Sequence, residues 1–170
     1  MSYLVFAAAL LHAEQLPRVT SETLAGNELD LPSALSGRVA VLCIGFTHSS
    51  QSQVKAWSTT LRSQLSKEPG VAVYSVAVLE DAPRLVRGMI VHSMKGSVPQ
   101  ANYSTFLLVF KNEKELKQAV GFSAGDEAYV VVLDPTRTIE YKLHGPPSVA
   151  AVRDINSHIT EILNKPNSPK

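Results

Sequence analysis

The sequence predicts an α/β domain: a central mixed sheet with flanking helices and an N-terminal β-hairpin. Apolar runs of strand length alternate along the chain with segments of helical period. The first two core runs are separated by one amphipathic helix, a connection that demands parallel strands. At 170 residues, 45% hydrophobic and 18% charged, the chain is long enough for one buried core and is composed like a globular protein. Residues 19–31 alternate around Gly26-Asn27, which is turn chemistry, and give the hairpin ahead of the main sheet. Residues 38–46 form a buried strand and 47–53 a loop. Residues 54–65 form a helix whose Val54, Trp57, Leu61 and Leu65 make one stripe, ended by Pro69-Gly70. Residues 71–79 are β-branched and almost continuously apolar, as suits a strand covered on both faces.

The second half supplies a helix over 82–95, a strand over 103–110 and a short helix over 113–120 behind an Asn112 cap. Strands over 129–133 and 139–143 are joined by a tight turn through Asp134-Pro135-Thr136-Arg137. A closing helix over 149–163 follows Pro146-Pro147-Ser148, with Val149, Val152, Ile155, Ile159 and Ile162 on one side. The domain is expected over 16–164, with a polar, proline-containing, disordered tail over 165–170. Residues 1–15 read as a signal peptide or apolar leader: the stretch 3–11 is too short to span a bilayer but suits a signal core, with Ala13 at the cleavage position. The competing reading is an ordinary buried N-terminal strand or helix. A signal peptide would place the protein outside the cell membrane, in a bacterial periplasm.

A net charge of +1 argues against nucleic acid as a partner, because such domains carry a marked basic excess. The single cysteine, Cys43, lies in the first core strand and reads as a small buried hydrophobe. Alone, it excludes an intramolecular disulfide. His12, His48, His92, His144 and His158 show no metal-ligand spacing, so no metal and no cofactor is expected. Ser49 and Ser50 precede a helix and read as N-cap residues rather than nucleophiles, and the glycines form no phosphate loop. The expectation is a protein that is not an enzyme.

The helix over 82–95 makes the best physical case for a binding surface. At about 100° per residue, Leu85, Val86, Met89, Ile90 and Met94 spread over more than half of its circumference, while Arg84, Arg87 and Lys95 gather in the rest. No acidic residue occurs between Asp81 and Glu113. A basic, apolar, methionine-bearing helix suits an acidic membrane surface or an apolar partner helix of a membrane protein subunit. The partner surface is therefore expected at Arg84, Arg87, Met89, His92, Met94 and Lys95. The alternative is a helix that only covers the sheet, with solvated arginines.

The order of elements is that of a thioredoxin-like fold, in which redox cysteines sit in the loop between first core strand and helix. Here that loop offers Ser49, Ser50, Gln51, Ser52 and Gln53, and residues 125–129 supply no proline before the following strand. Gly45-Phe46-Thr47-His48 resembles the copper-delivery proteins of cytochrome oxidase assembly, which carry cysteines where Ser49 and Gln53 stand. We read Ser49 and Gln53 as a degenerate redox loop. A broader likeness runs from Arg38 to Gly145. The stretch Val73-Tyr74-Ser75-Val76-Ala77-Val78-Leu79-Glu80, then Leu85 to Ile90, Ser97-Val98-Pro99 and the pattern Phe110, Glu113, Lys114, Glu115, Leu116, is similar to the ATP synthase assembly-factor family. Tyr129, Val131, Leu133, Asp134 and Ile139 continue it. After Ile139 the family tends to Arg-Trp, where this chain has Glu140-Tyr141. The resemblance implies a non-catalytic assembly factor for a membrane complex, ATP synthase above all, at the mitochondrial inner membrane. The alternative is an exported thioredoxin- or peroxiredoxin-like protein that has lost its redox cysteines.

Overall fold

The computed structural model describes residues 14–165. Nearly all of the expected leader, and the expected tail beyond Lys165, lie outside the described residues. Glu14 and Gln15 are described, and Gln15 bridges to Thr138 at the far side of the sheet.

Strands β1 (Val19–Thr23) and β2 (Glu28–Leu31) form the hairpin, with Gly26 at φ 93° in its turn, a conformation open to glycine. Then come β3 (Val39–Gly45), α1 (Gln51–Leu65), β4 (Val71–Val78) and α2 (Arg84–Ser97). The chain continues through β5 (Phe106–Val109), α3 (Glu113–Val120), β6 (Tyr129–Leu133), β7 (Ile139–His144) and α4 (Val149–Asn164). The sheet order is β2-β1-β5-β4-β3-β6-β7. Strands β3, β4 and β5 are mutually parallel, as the helical crossovers between them require, and the outer pairings are antiparallel.

Alternation along the three parallel strands sorts their side chains into two layers. Ala40, Leu42, Ile44, Tyr74, Val76, Val78, Leu107 and Val109 face α3, which contributes Leu116 and Val120. Val39, Val41, Cys43 and Val73 face the opposite way, against Val54, Trp57 and Leu61 of α1 and Val152, Ile155, Ile159 and Ile162 of α4. On that second face β4 and β5 carry a separate cluster of Ala77, Phe106 and Leu108, joined by Leu24 and bordered by Val91 and Met94 of α2. Trp57 is fully buried, and its Nε1 donates to the Gly145 carbonyl at 2.8 Å. Cys43 is buried and free.

Several local expectations are corrected. The expected hairpin forms, and it also extends the sheet, because β1 pairs with both β2 and β5. Helix α1 begins at Gln51, so Gln53 belongs to its first turn. Ser50 stands at the N-cap position but does not cap: its Oγ donates to the Thr47 carbonyl at 2.9 Å and tightens the loop instead. Asn112 is left-handed at φ 67° and also makes no side-chain cap. The free N–H of Glu113 is met by Glu80 Oε2 at 2.6 Å, from beyond the end of β4. Residues Gln100–Thr105 form a 3-10 turn after Pro99 rather than strand, leaving β5 the four residues that fit between β1 and β4. In α4 the stripe starts at Val152, since Val149 at the first position is 89% exposed. Ser148 does cap that helix, accepting from Ala151 N at 3.1 Å.

Candidate functional site

Two places hold the residues that the sequence singled out: the loop between β3 and α1, and helix α2. The first is set by Gly45. A Cβ there would lie 2.7 Å from Ser50 Oγ and 2.9 Å from Val54 Cγ2, so only glycine lets the start of α1 fold back over the end of β3. Ser49 is exposed in the turn. Gln53 is half-buried, and its amide is used twice: Nε2 donates to the Asp126 carbonyl and Oε1 accepts from Ala128 N, both at 3.1 Å. Thr47 Oγ1 donates to the Gly125 carbonyl. The loop that reads in the sequence as a degenerate redox loop is thus latched onto the segment before β6 by a neutral amide and a hydroxyl. Among the described residues the cis peptide bond precedes Pro32, not β6. The remaining thiol, Cys43, is pushed up to about 12 by burial, only partly offset by the nearby Arg62 guanidinium. A thiol so placed is neither ionised nor reachable at neutral pH.

Beside this loop Phe122, Tyr129 and His144 stack in a row with centroids 5.6 Å apart, and Phe46 meets Phe122 and Tyr129 edge-on at 5.2 and 5.6 Å. The Tyr129 hydroxyl accepts from Ser123 N and Ala124 N and donates to the Ala124 carbonyl, so this polar tip is satisfied and structural. Among the described residues no group of three His, Cys, Asp or Glu side chains is placed to hold a metal ion.

Helix α2 carries the expected partner surface, and the structure divides it. No residue of α2 is buried. Leu85 is 98% exposed and Met89 71%, so the apolar arc exceeds what the sheet covers. Met94 turns toward the Phe106–Leu108 cluster, while Arg84, His92 and Lys95 point to solvent. Arg87 is not a solvated charge. Its Nε donates to the Ala82 carbonyl and its Nη2 to the Glu80 carbonyl, each at 2.9 Å, and the guanidinium lies 5.1 Å from the Phe110 ring. It fastens the start of α2 to the strands, and its charge is only partly available to a partner.

Between α1 and α2 a groove of about 520 Å³ opens onto the sheet, with Val54, Ile90, Met89, Met94 and Phe106 among its apolar walls. On its lining lies Arg62, a residue not singled out from the sequence. It is half-buried, and Nη2 donates to Ser75 Oγ at 3.2 Å and to the Val73 carbonyl and Thr105 Oγ1 at 3.4 Å. Burial holds this guanidinium below its ordinary value. The signal was present: Val54, Ser58 and Arg62 follow one another at four-residue spacing beside the Val54-Trp57-Leu61 stripe. Ser75 is the single polar residue of β4.

Fold and site together define a thioredoxin-like domain in which Gln53, in the first turn of α1, is hydrogen-bonded to the segment before β6. Solved structures of this shape include BsSco, a member of the Sco family of cytochrome c oxidase assembly proteins, at TM-score 0.63 and 16% identity over 91% of this chain and 96% of that one. A thiol:disulfide interchange protein DsbE from Chlorobium tepidum matches at 0.60 and 15% over 89% and 97%, and yeast Sco1 with copper bound at 0.58 and 15% over 86% and 93%. At such identities these likenesses establish the fold alone. No match was found among curated proteins. The profile of the ATP10 protein family matches residues 10–160, and the chain belongs to that family. This is the ATP synthase assembly-factor family that the sequence resembles.

Proposed function

We propose that this protein is a non-catalytic assembly factor that binds a membrane-embedded subunit of ATP synthase while the complex is built. The observation that carries the reading is the family match over residues 10–160, and it is supported by Gln53, whose amide is already committed to two backbone hydrogen bonds. Without a paired thiol, the domain can offer a partner only surface, and α2 presents the surface that its own core leaves uncovered. Arg84, Met89, His92, Met94 and Lys95 would meet the subunit or the acidic lipid around it, with Arg87 holding the helix in place. No described helix is long and apolar enough to cross a membrane. The family match favours the mitochondrial inner membrane as the place of work over a bacterial periplasm.

The test is removal of the protein from cells, followed by native electrophoresis of ATP synthase. Accumulation of a complex lacking one membrane subunit, reversed equally by the wild type and by Cys43→Ala, is expected. Normal assembly without the protein, or rescue that requires Cys43, would overturn the proposal.

A further inference from the structure

We infer that the groove between α1 and α2 is a docking site for an apolar helix bearing one carboxylate, which pairs with Arg62. The inference rests on the assembly-factor reading and names the surface and the chemistry that reading would use.

Arg62 is the observation that asks for a ligand. A guanidinium half withdrawn from water is normally matched by an anion, because leaving a charge desolvated and unpaired is costly. Among the described residues no carboxylate lies within ion-pair distance of Arg62, and its contacts are three long ones to neutral oxygens, all from Nη2. Nε and Nη1 make no hydrogen bond to a described residue. Either can join Nη2 in holding a carboxylate, Nε in the side-on pairing and Nη1 in the end-on one. The groove also rejects the opposite charge: no acidic residue lines it, whereas His48 and Lys55 do.

The apolar part of the site points to a helix rather than to a small amphiphile. A helix with its side chains is about 10–12 Å across, so a groove of about 520 Å³ admits side chains from one face and not the whole rod. The apolar surface continues from Met89 on the groove wall along α2 to Leu85, one turn earlier and 98% exposed. An acyl chain seated in the groove would leave Leu85 in water. A helix lying along the rim covers both. Methionine walls adjust to the side chains presented to them, and helix-in-groove recognition uses such surfaces.

The experiment uses the full chain and two capped amphipathic model helices that differ only in one residue of the apolar face, Glu or Gln, with binding read by calorimetry. The Glu helix should bind at least about tenfold more tightly, the equivalent of one charge-assisted hydrogen bond. Arg62→Gln should remove that preference, and Arg62→Lys should keep part of it. A double Leu85→Ser, Met89→Ser variant, which alters only exposed side chains, should weaken both helices alike. Preference for Glu retained in Arg62→Gln would overturn the inference. So would palmitate binding in the groove while neither helix binds. If these peptides behave as expected but no synthase subunit is captured by the wild type, the assembly reading fails and the site stands. If the subunit is captured unchanged by the Leu85→Ser, Met89→Ser, Arg62→Gln variant, assembly stands and this site fails.

Discussion

Replacing Trp57 by alanine tests how α1 is held on the sheet. The indole is fully buried between β3 and the α4 layer, in a cluster with Val41, Val130 and Ile155. Truncating a buried aromatic ring costs about 3–5 kcal/mol. The Gly145 carbonyl, which Trp57 Nε1 reaches at 2.8 Å, would lose its donor, adding about 1–3 kcal/mol. The sum, about 4–8 kcal/mol, is comparable with the entire stability of a marginal domain. For a chain of this size it should lower the melting temperature by roughly 8–32 °C. Trp57→Phe separates the two contributions: it keeps most of the ring and loses the hydrogen bond, so it should cost about 1–3 kcal/mol. Trp57 is the chain's one tryptophan, so wild-type urea melts can be followed by its fluorescence and checked against far-UV circular dichroism, which then serves both variants. A loss under about 2 kcal/mol in Trp57→Ala, with Trp57→Phe indistinguishable from wild type, would refute the argument that this stripe anchors the helix.

Cys43 should resist alkylation in the native state and react only on unfolding; an insulin-reduction assay should show no activity above background. Its folded pKa is raised from 9.0 to about 12, so the unfolded chain releases the proton first. Stability should therefore be whole below pH 9 and fall between pH 9 and 12, by up to about 4 kcal/mol, a slope that Cys43→Ala should lack; superimposable alkaline melts for the two proteins would contradict this. Gln53→Ala should cost about 1–3 kcal/mol by leaving the Ala128 N–H without its partner. Amide exchange at Ala128 should then accelerate in the folded protein, and an unchanged rate would show that the latch contributes nothing.

The parallel core was legible because its signals are periodic and local. The β-branched run through β4 and the stripe of α1 each state which face is buried before any partner is known. Tyr103 shows where this stops: with Thr105 and the apolar run after it, it reads as strand, yet Pro99 starts a turn and the sheet has room for four residues only. At the candidate site, Met89 and Met94 could be foreseen from the uneven apolar arc of α2. Arg87 was misjudged because its acceptors, the carbonyls of Glu80 and Ala82, are backbone atoms that leave no mark in side-chain patterning. Arg62 escaped for a related reason. Its significance lies in what fails to approach it across three separate segments, and one-dimensional spacing does not display a missing neighbour.

The shallow seating of α2 bears on how long a complex would last. An element with no fully buried side chain is expected to open locally at a cost well below that of unfolding the domain, and α2 is such an element. A partner that fixes it loses part of the gross interaction free energy to that ordering. The result is an encounter that is selective yet brief, since differences among related complexes appear chiefly in the rate of departure. A client held in this way is shielded while it lacks its proper neighbours, and is surrendered when a larger and more rigid interface competes for the same apolar face.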